Sequence, residues 1–300
     1  MKYTTSIIIP TYNDPDGIMV TLNSLINQDY AHKYEIIVID NNSSDNTFQV
    51  LTQFKKNLKR SGKYELKLLQ ENTTQSSYAA RNLGIKHADG EILCFIDSDM
   101  WVDHDYLTKV TQMYHKLNPK GDQPFYMGCK VEIVMKEGNI YEKYDKITGF
   151  PMEKYLEKYH FVGAGCLIIN KKTIERVGRF NSKLFSGGDR EFGERYYATK
   201  HHQYFCGNIR VYHPARNSLK DHLKKKYRIG KGLVDLRTVS PIFIFKLLLP
   251  PRPIKLMRKC YNSKISISLK TFLKIYFLDY LFGHLVVLTG IISRMIYDNR

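Results

Sequence analysis

The 300-residue chain has little cysteine and no cysteine pattern: Cys94, Cys129, Cys166, Cys206 and Cys260 are odd in number and form no C-x-x-C pair. That argues against a disulfide framework or a thiolate zinc site, and makes reduced thiols in a cytosolic setting the expectation. The first apolar run, Ile7, Ile8 and Ile9, falls well short of the about 7–15 residues of a signal-peptide core, so a cytoplasmic catalytic body is expected. Long uncharged stretches are scarce as well. Between Asp279 and Arg294 only fourteen residues are free of formal charge, short of the ~20 that span a bilayer. No G-x-G-x-x-G follows the first apolar run, where Pro10-Thr11-Tyr12-Asn13-Asp14-Pro15 stands instead, and no G-x-x-x-x-G-K-[ST] is present. Nicotinamide dehydrogenases and P-loop ATPases are therefore disfavoured.

Positive charge, by contrast, is in excess, and it is localised. The net charge is +17, and residues 214–274 hold sixteen Lys and Arg, among them Lys224, Lys225, Lys226, Arg252, Arg258 and Lys259, against Asp221 and Asp235. Residues 1–213 carry only +3. With 43% hydrophobic and 25% charged residues, the composition is that of a globular protein rather than a disordered or polytopic membrane one.

Through the first 115 residues, short β-rich runs (residues 6–10, 35–40, 64–69 and 91–97) alternate with segments of helical spacing, such as Ile18, Leu22, Leu25 and Ile26, or Phe48, Leu51, Phe54 and Leu58. This predicts an α/β fold, a βαβαβαβ nucleotide-binding half on a parallel sheet. Strands buried on both faces read as continuous Ile and Val. Ligands in such sheets bind beyond the carboxyl ends of the strands, where Thr11, Tyr12 and Asn13, then Asp40, Asn41 and Asn42, then Asp97, Ser98 and Asp99 collect. Residues 120–213 are less regular, with strands expected near 125–134 and 166–170 and a helix over 189–199. The neutral body reads as one domain, residues 1–215. Residues 216–300 form a basic, amphipathic helical extension, broken by Pro241, Pro250, Pro251 and Pro253.

Asp97-Ser98-Asp99 leaves a strand with two carboxylates at i and i+2. Such a pair reaches one divalent cation, and hard oxygen ligands suit Mg²⁺ or Mn²⁺ on a diphosphate. The same pattern also serves a solvated turn. Taken with Ile7 to Asn13, Val38-Ile39-Asp40-Asn41-Asn42-Ser43-Ser44-Asp45-Asn46-Thr47, Ala80-Arg81-Asn82-Leu83-Gly84-Ile85, residues 163–169, Val177-Gly178-Arg179-Phe180 and Gly187-Gly188-Asp189-Arg190-Glu191-Phe192-Gly193, it resembles the family 2 glycosyltransferases of the GT-A fold. The resemblance covers residues 4–215 and lies in its blocks' order and spacing.

The resemblance implies that Asp40 accepts the N3–H of uracil. Pro10, Thr11, Tyr12, Asn13, Arg81, Ser98 and Trp101 would line the donor site. Asp99 would bind metal directly, and Asp97 would bind the ribose or the metal through water. A third ligand is needed to hold the ion when product leaves, and His213, an imidazole in Val211-Tyr212-His213-Pro214-Ala215-Arg216 at the end of an expected strand, is the candidate. The resemblance makes Asp189 the general base, although Gly188 stands where the family carries a glutamate. Each has a structural alternative: a turn or helix cap for Asp40, Asp45 and Asp189, a solvated helix residue for Arg81, ordinary packing for Trp101 and His213. The expected activity is inverting transfer of a hexose, glucose first, from a UDP-sugar to a glycan or polyprenyl-linked acceptor in polysaccharide biosynthesis. The basic tail would meet an anionic membrane surface at the inner face of the plasma membrane. A nucleotidyltransferase is the competing enzyme reading, but residues 11–17 offer no Lys or Arg for its basic loop. Nucleic-acid binding by the tail is the other; apolar blocks beside the cations fit a membrane better, so no nucleic acid is expected.

Overall fold

The computed structural model describes residues 3–58, 62–235, 249–250 and 252–298. The pattern change expected from Ser240 and Pro241, and the break at Pro251, lie outside the described residues.

The first half alternates as expected: β1 (Thr5–Thr11), α1 (Pro15–Ile26), β2 (Tyr34–Asp40), α2 (Thr47–Asn57), β3 (Tyr64–Gln70), α3 (Ser77–His87) and β4 (Ile92–Phe95). β1 pairs in parallel with β2 and β4, and β2 with β3, so the donor half has the order β3-β2-β1-β4. Every residue of β1, β2 and β4 is buried, which is why these strands are runs of Ile and Val rather than alternating patterns. Asp97 lies outside β4, unlike the expected strand over 91–97. After the Ile96 amide bonds to the Ile8 carbonyl, the chain turns, and the Met100 amide closes onto the Asp97 carbonyl.

The second half continues with β5 (Trp101–Val102), α4 (Tyr106–Leu117), β6 (Tyr126–Val134), α5 (Ile140–Thr148), α6 (Met152–Tyr159), β7 (Leu167–Asn170), α7 (Lys171–Val177), α8 (Gly188–Tyr197) and β8 (Gln203–Pro214). Here the sheet becomes mixed, with β7 antiparallel to both β4 and β6, and the whole sheet reads β3-β2-β1-β4-β7-β6-β8-β5. Cys166, expected in a strand, ends a short 3-10 turn before β7, and the helix expected over 189–199 runs from Gly188 to Tyr197. All five cysteines are free and buried.

The described chain divides into two compact units rather than at one point. The first comprises residues 1–132, 151–183 and 188–213 and the second residues 133–150, 184–187 and 214–300. The second unit is helical: α5, then α9 (Leu219–Asp235), α10 (Pro253–Asn262) and α11 (Leu269–Asp298). Its core joins Tyr144, Ile147, Leu256, Cys260, Ile275 and Phe282. A capping box starts α5, with the Asn139 side chain taking the Tyr141 and Glu142 amides while Glu142 takes that of Asn139. Within α11, Leu269–Ser293 is long and apolar enough to cross a membrane by length and composition, although Lys270, Lys274 and Asp279 fall within it.

Candidate active site

The carboxyl ends of β1 and β2 are laced together. Thr11 and Asp40 are register partners, and the Asn41 amide donates to the Thr11 carbonyl at 2.8 Å. Asn13 and Asn42 adopt positive φ, +48° and +59°, as short polar side chains at tight turns can. The Ser44 amide donates to the Asn13 side-chain oxygen at 2.8 Å, and the Asn13 amide to Ser43 Oγ at 3.0 Å. Asp45 accepts the Thr47 amide at 2.9 Å, one residue before the N-cap of α2, so it serves the turn.

What this lacing leaves over is informative. Asp40 is buried, and its Oδ2 takes the Ser43 amide at 3.3 Å. Its Oδ1 has no protein partner, nor do the buried Thr11 Oγ1 and Asn41 Oδ1 beside it. Buried polar atoms are normally satisfied, and orphans that cluster at strand ends call for a ligand. Tyr12, half exposed at the mouth of the same loop, presents an aromatic face, while Pro10 lies buried inside β1.

The turn after β4 is held from three sides. Ser98 Oγ donates to Asp14 Oδ2 at 2.8 Å, and Thr21 of α1 donates to the Ser98 carbonyl at 2.7 Å. Asp14 also caps α1 through the Gly17 amide. Burial raises the Asp14 carboxyl above its ordinary range, against the pull of the Ser98 and Gly17 hydrogen bonds. Ser98, expected against the donor, is thus engaged with α1. Asp97 Oδ1 pairs with Arg81 Nη2 at 2.5 Å, and Arg81 Nη1 donates to Ser77 at 3.2 Å. The guanidinium expected on the diphosphate therefore sits on a carboxylate, though its Nε is a further buried orphan. A Cβ at Gly165 would lie 2.7 Å from Asp97 Oδ2 and 2.9 Å from Met100 Sδ, so a side chain there would displace the Asp97 carboxylate.

Asp99 Oδ2 and His213 Nε2 stand 3.4 Å apart where β8 ends. Among the described residues no three His, Cys, Asp or Glu side chains converge as a ready cluster, so two of the three expected ligands come together and Asp97 stays with Arg81. Trp101 stacks on Tyr212, its cross-strand partner, at 5.8 Å and 14°. A groove of about 430 Å³ lined by Asn118, Lys120, Asp122 and His202 lies where β6 and β8 begin, away from these groups.

Asp189 is the second residue of α8 and accepts the Arg190 amide at 3.0 Å. It is not the residue preceding the helix, as a cap would be. Burial raises its carboxyl above the usual range; the Arg190 amide and the Arg81 charge oppose that, and Asp97 adds to it. Arg81 and Asp97 thus act electrostatically on Asp189. Glu191, one alternative base, is bound by both Nε and Nη2 of Arg195 at 2.8 Å. Asp14, Tyr78, Asn82 and Gly165 went unassigned in the sequence although each lies in or beside a recognisable block, because their roles are contacts with distant segments.

Strands feeding polar groups to one edge, a mixed second half and a carboxylate turn after β4 define a nucleotide-sugar transferase of the GT-A type. The mannosyltransferase of Pyrobaculum calidifontis, solved with GDP-Man and Mn²⁺, shares this fold: TM-score 0.62 at 15% identity, over 98% of this chain and 88% of that one. The model of glycosyl transferase family 2 matches residues 6–178, and the chain belongs to that family: it is a glycosyltransferase. Glycosyltransferase AglE of Haloferax volcanii is 33% identical over 77% of this chain and 73% of its own. The UDP-Glc:alpha-D-GlcNAc-diphosphoundecaprenol beta-1,3-glucosyltransferase WfgD of Escherichia coli is 32% identical over 37% of this chain and 41% of its own. Against several further curated relatives the match spans less than half of their length.

Proposed function

We propose that this chain is an inverting, divalent-metal-dependent hexosyltransferase that takes a UDP-hexose, UDP-glucose first, and transfers the sugar to a glycan or polyprenyl-diphosphate-linked acceptor. The observation that carries the donor reading is the orphaned Asp40 Oδ1, with Thr11 Oγ1 and Asn41 Oδ1 also unpartnered at the same strand ends. One oxygen of Asp40 is used by Ser43 and one remains, which suits a base edge with a single N–H donor, as in uracil. The paired donors of guanine would need both. Tyr12 supplies a face for the base.

Asp99 and His213 are the residues that would hold the metal. Their 3.4 Å spacing is close to the about 3 Å between neighbouring ligands of one octahedral ion with bonds near 2.1 Å. An oxygen and an imidazole fit Mn²⁺ or Mg²⁺. The ion, when bound, neutralises charge on the departing diphosphate. Asp97, held by Arg81, supports the ribose side. Asp189 accepts the proton of the acceptor hydroxyl as its oxygen bonds to the anomeric carbon from the face opposite the leaving group. The bond from that carbon to the phosphate oxygen breaks, and UDP leaves with the electron pair. A carboxyl whose pKa is raised by burial holds that proton better than an exposed one.

Residues 1–215 carry this chemistry, and residues 216–300 associate with an anionic membrane surface at the cytoplasmic face. From residue 252 to 278 there are seven cations and no acid. α10 exposes Ile254, Met257 and Tyr261 opposite the buried Leu256 and Cys260, an amphipathic pattern suited to lying in the interface. The test is nucleotide release from a panel of UDP- and GDP-sugars with and without EDTA, followed by vesicle partitioning of the full chain. UDP-glucose should lead, EDTA should abolish release, and Mn²⁺ should restore it. A GDP-hexose turned over faster than every UDP-sugar would overturn the reading of Asp40.

A further inference from the structure

One face of α3 sends three side chains to three separate segments. Arg81 reaches Asp97. Asn82 clamps Phe180, its Nδ2 donating to the Phe180 carbonyl at 2.8 Å and its Oδ1 accepting the Phe180 amide at 3.0 Å. Tyr78, one turn earlier on the same face, accepts the Gly188 amide on its hydroxyl at 2.9 Å, and its ring stacks on Phe180 at 6.0 Å. Gly188 opens α8, and Asp189 is the next residue.

The two glycines before Asp189 have different jobs. Gly187 turns the chain at φ +81°, which an L side chain resists. Gly188 is set by contact: a Cβ there would lie 2.8 Å from the ring carbons of Tyr78. The ring thus fills the space that a side chain at 188 would enter, at the position where the resemblance leads one to expect a glutamate. The first amides of a helix have no partner within it, and here the Tyr78 hydroxyl supplies one. That hydrogen bond fixes the start of α8, and with it the location of the Asp189 carboxylate relative to Asp97 and Arg81.

We propose that Tyr78 is a positioning residue for transfer: its hydroxyl, held over Gly188, sets where the Asp189 carboxylate meets the acceptor hydroxyl. This rests on the reading of Asp189 as the base. Tyr78 acts on Asp189 through Gly188, so its loss should fall on the chemical step and leave donor binding nearly unchanged. Displacements of about 1 Å at a reacting group cost up to about 100-fold in rate.

The experiment compares full-length wild type, Tyr78→Phe, Asp189→Asn and the double variant, with kcat and donor KM measured for each. Tyr78→Phe keeps the ring and removes only the hydroxyl. It should lower kcat about tenfold with donor KM within about twofold, and should cost nothing further once Asp189 is already Asn. A full rate in Tyr78→Phe while Asp189→Asn is crippled overturns the positioning role and leaves the base standing. The same tenfold loss in both backgrounds overturns it too, because the effect then bypasses Asp189. Near-normal transfer by Asp189→Asn removes the base itself, and the role of Tyr78 falls with it.

Discussion

Both units bury carboxylates, Glu35 and Asp40 in the first and Asp145 in the second, but they differ in what surrounds those groups and in what they expose. The first packs Ile7, Ile8, Ile9, Ile36, Ile37 and Val38 fully inside and turns its polar groups to the strand ends. The second buries a carboxylate, Asp145, against Arg216 at 3.1 Å and Lys225 at 3.4 Å, with Phe150 under the Lys225 ammonium at 4.4 Å. Meanwhile it exposes Leu269, Leu273, Phe277, Leu281, Leu288 and Ile292, one stripe along α11. Burial works against the Asp145 charge, yet Lys225 and Arg216 hold its carboxyl below the usual range. Burial and the Arg216 charge push the Lys225 ammonium down to about 7. Contiguous apolar surface of this kind marks an interaction face. The difference teaches that the first unit is organised around a site and the second around an exposed apolar face.

Five measurements bear on that contrast. The largest effect belongs to the base: Asp189→Asn should lower transfer by ~10²–10⁴-fold with little change in donor KM, while Glu191→Gln, whose carboxylate is occupied by Arg195, stays near wild type. The reverse pattern would move the base to Glu191. Next, Asp99→Asn should reduce metal-stimulated UDP release by about 100-fold or more, measured across a Mn²⁺ titration; turnover in excess EDTA would sink the metal assignment. Asp40→Ala should raise donor KM by roughly 10–100-fold, the cost of one buried hydrogen bond to a base, with kcat less affected. On the second unit, Met257→Asp combined with Phe277→Asp should weaken partitioning onto anionic vesicles by about tenfold or more and leave transfer to a soluble acceptor intact. Equal partitioning of wild type and variant would mean the apolar stripe meets something other than lipid.

The smallest effect is in pH. Lys225 has its folded pKa depressed to about 7 from an ordinary 10.5, so between those values the unfolded chain binds more protons. Stability therefore rises with pH from about 7 upward, and below that window the full cost of the buried ammonium is present. Thermal melts from pH 6.5 to 9 should show an upward drift of a few degrees that Lys225→Met flattens. A drift unchanged in that variant would assign it to other groups.

The donor half was legible because each of its motifs is local. A buried parallel strand announces itself as continuous Ile and Val, and the polar residues that follow fall where the sheet delivers its ligands. The second half was harder. β6 and β7 were expected near 125–134 and 166–170 and stand at Tyr126–Val134 and Leu167–Asn170, but β5 is only two residues long and its pairing with β8 joins segments far apart in sequence, so periodicity has little to report of the sheet order. The engagement of Ser98 with Asp14 and of Arg81 with Asp97 was also hidden, since a motif names a residue type and leaves open which neighbour claims it. The tail could be read as basic and apolar, but not as buried charge under exposed leucine. That arrangement arises only when α5 packs with α9, α10 and α11.

The five buried thiols give the molecule a built-in clock. Cys94, Cys129, Cys166 and Cys206 lie in the first unit and Cys260 in the core of the second, all free and shielded. Burial pushes the Cys94 thiol up to about 12, so it resists alkylation twice over, by access and by ionisation. A sulfhydryl reagent therefore captures each cysteine only when its surroundings open. The order in which the five masses appear under native conditions would time the separate breathing of the two units, with no label introduced and no residue changed.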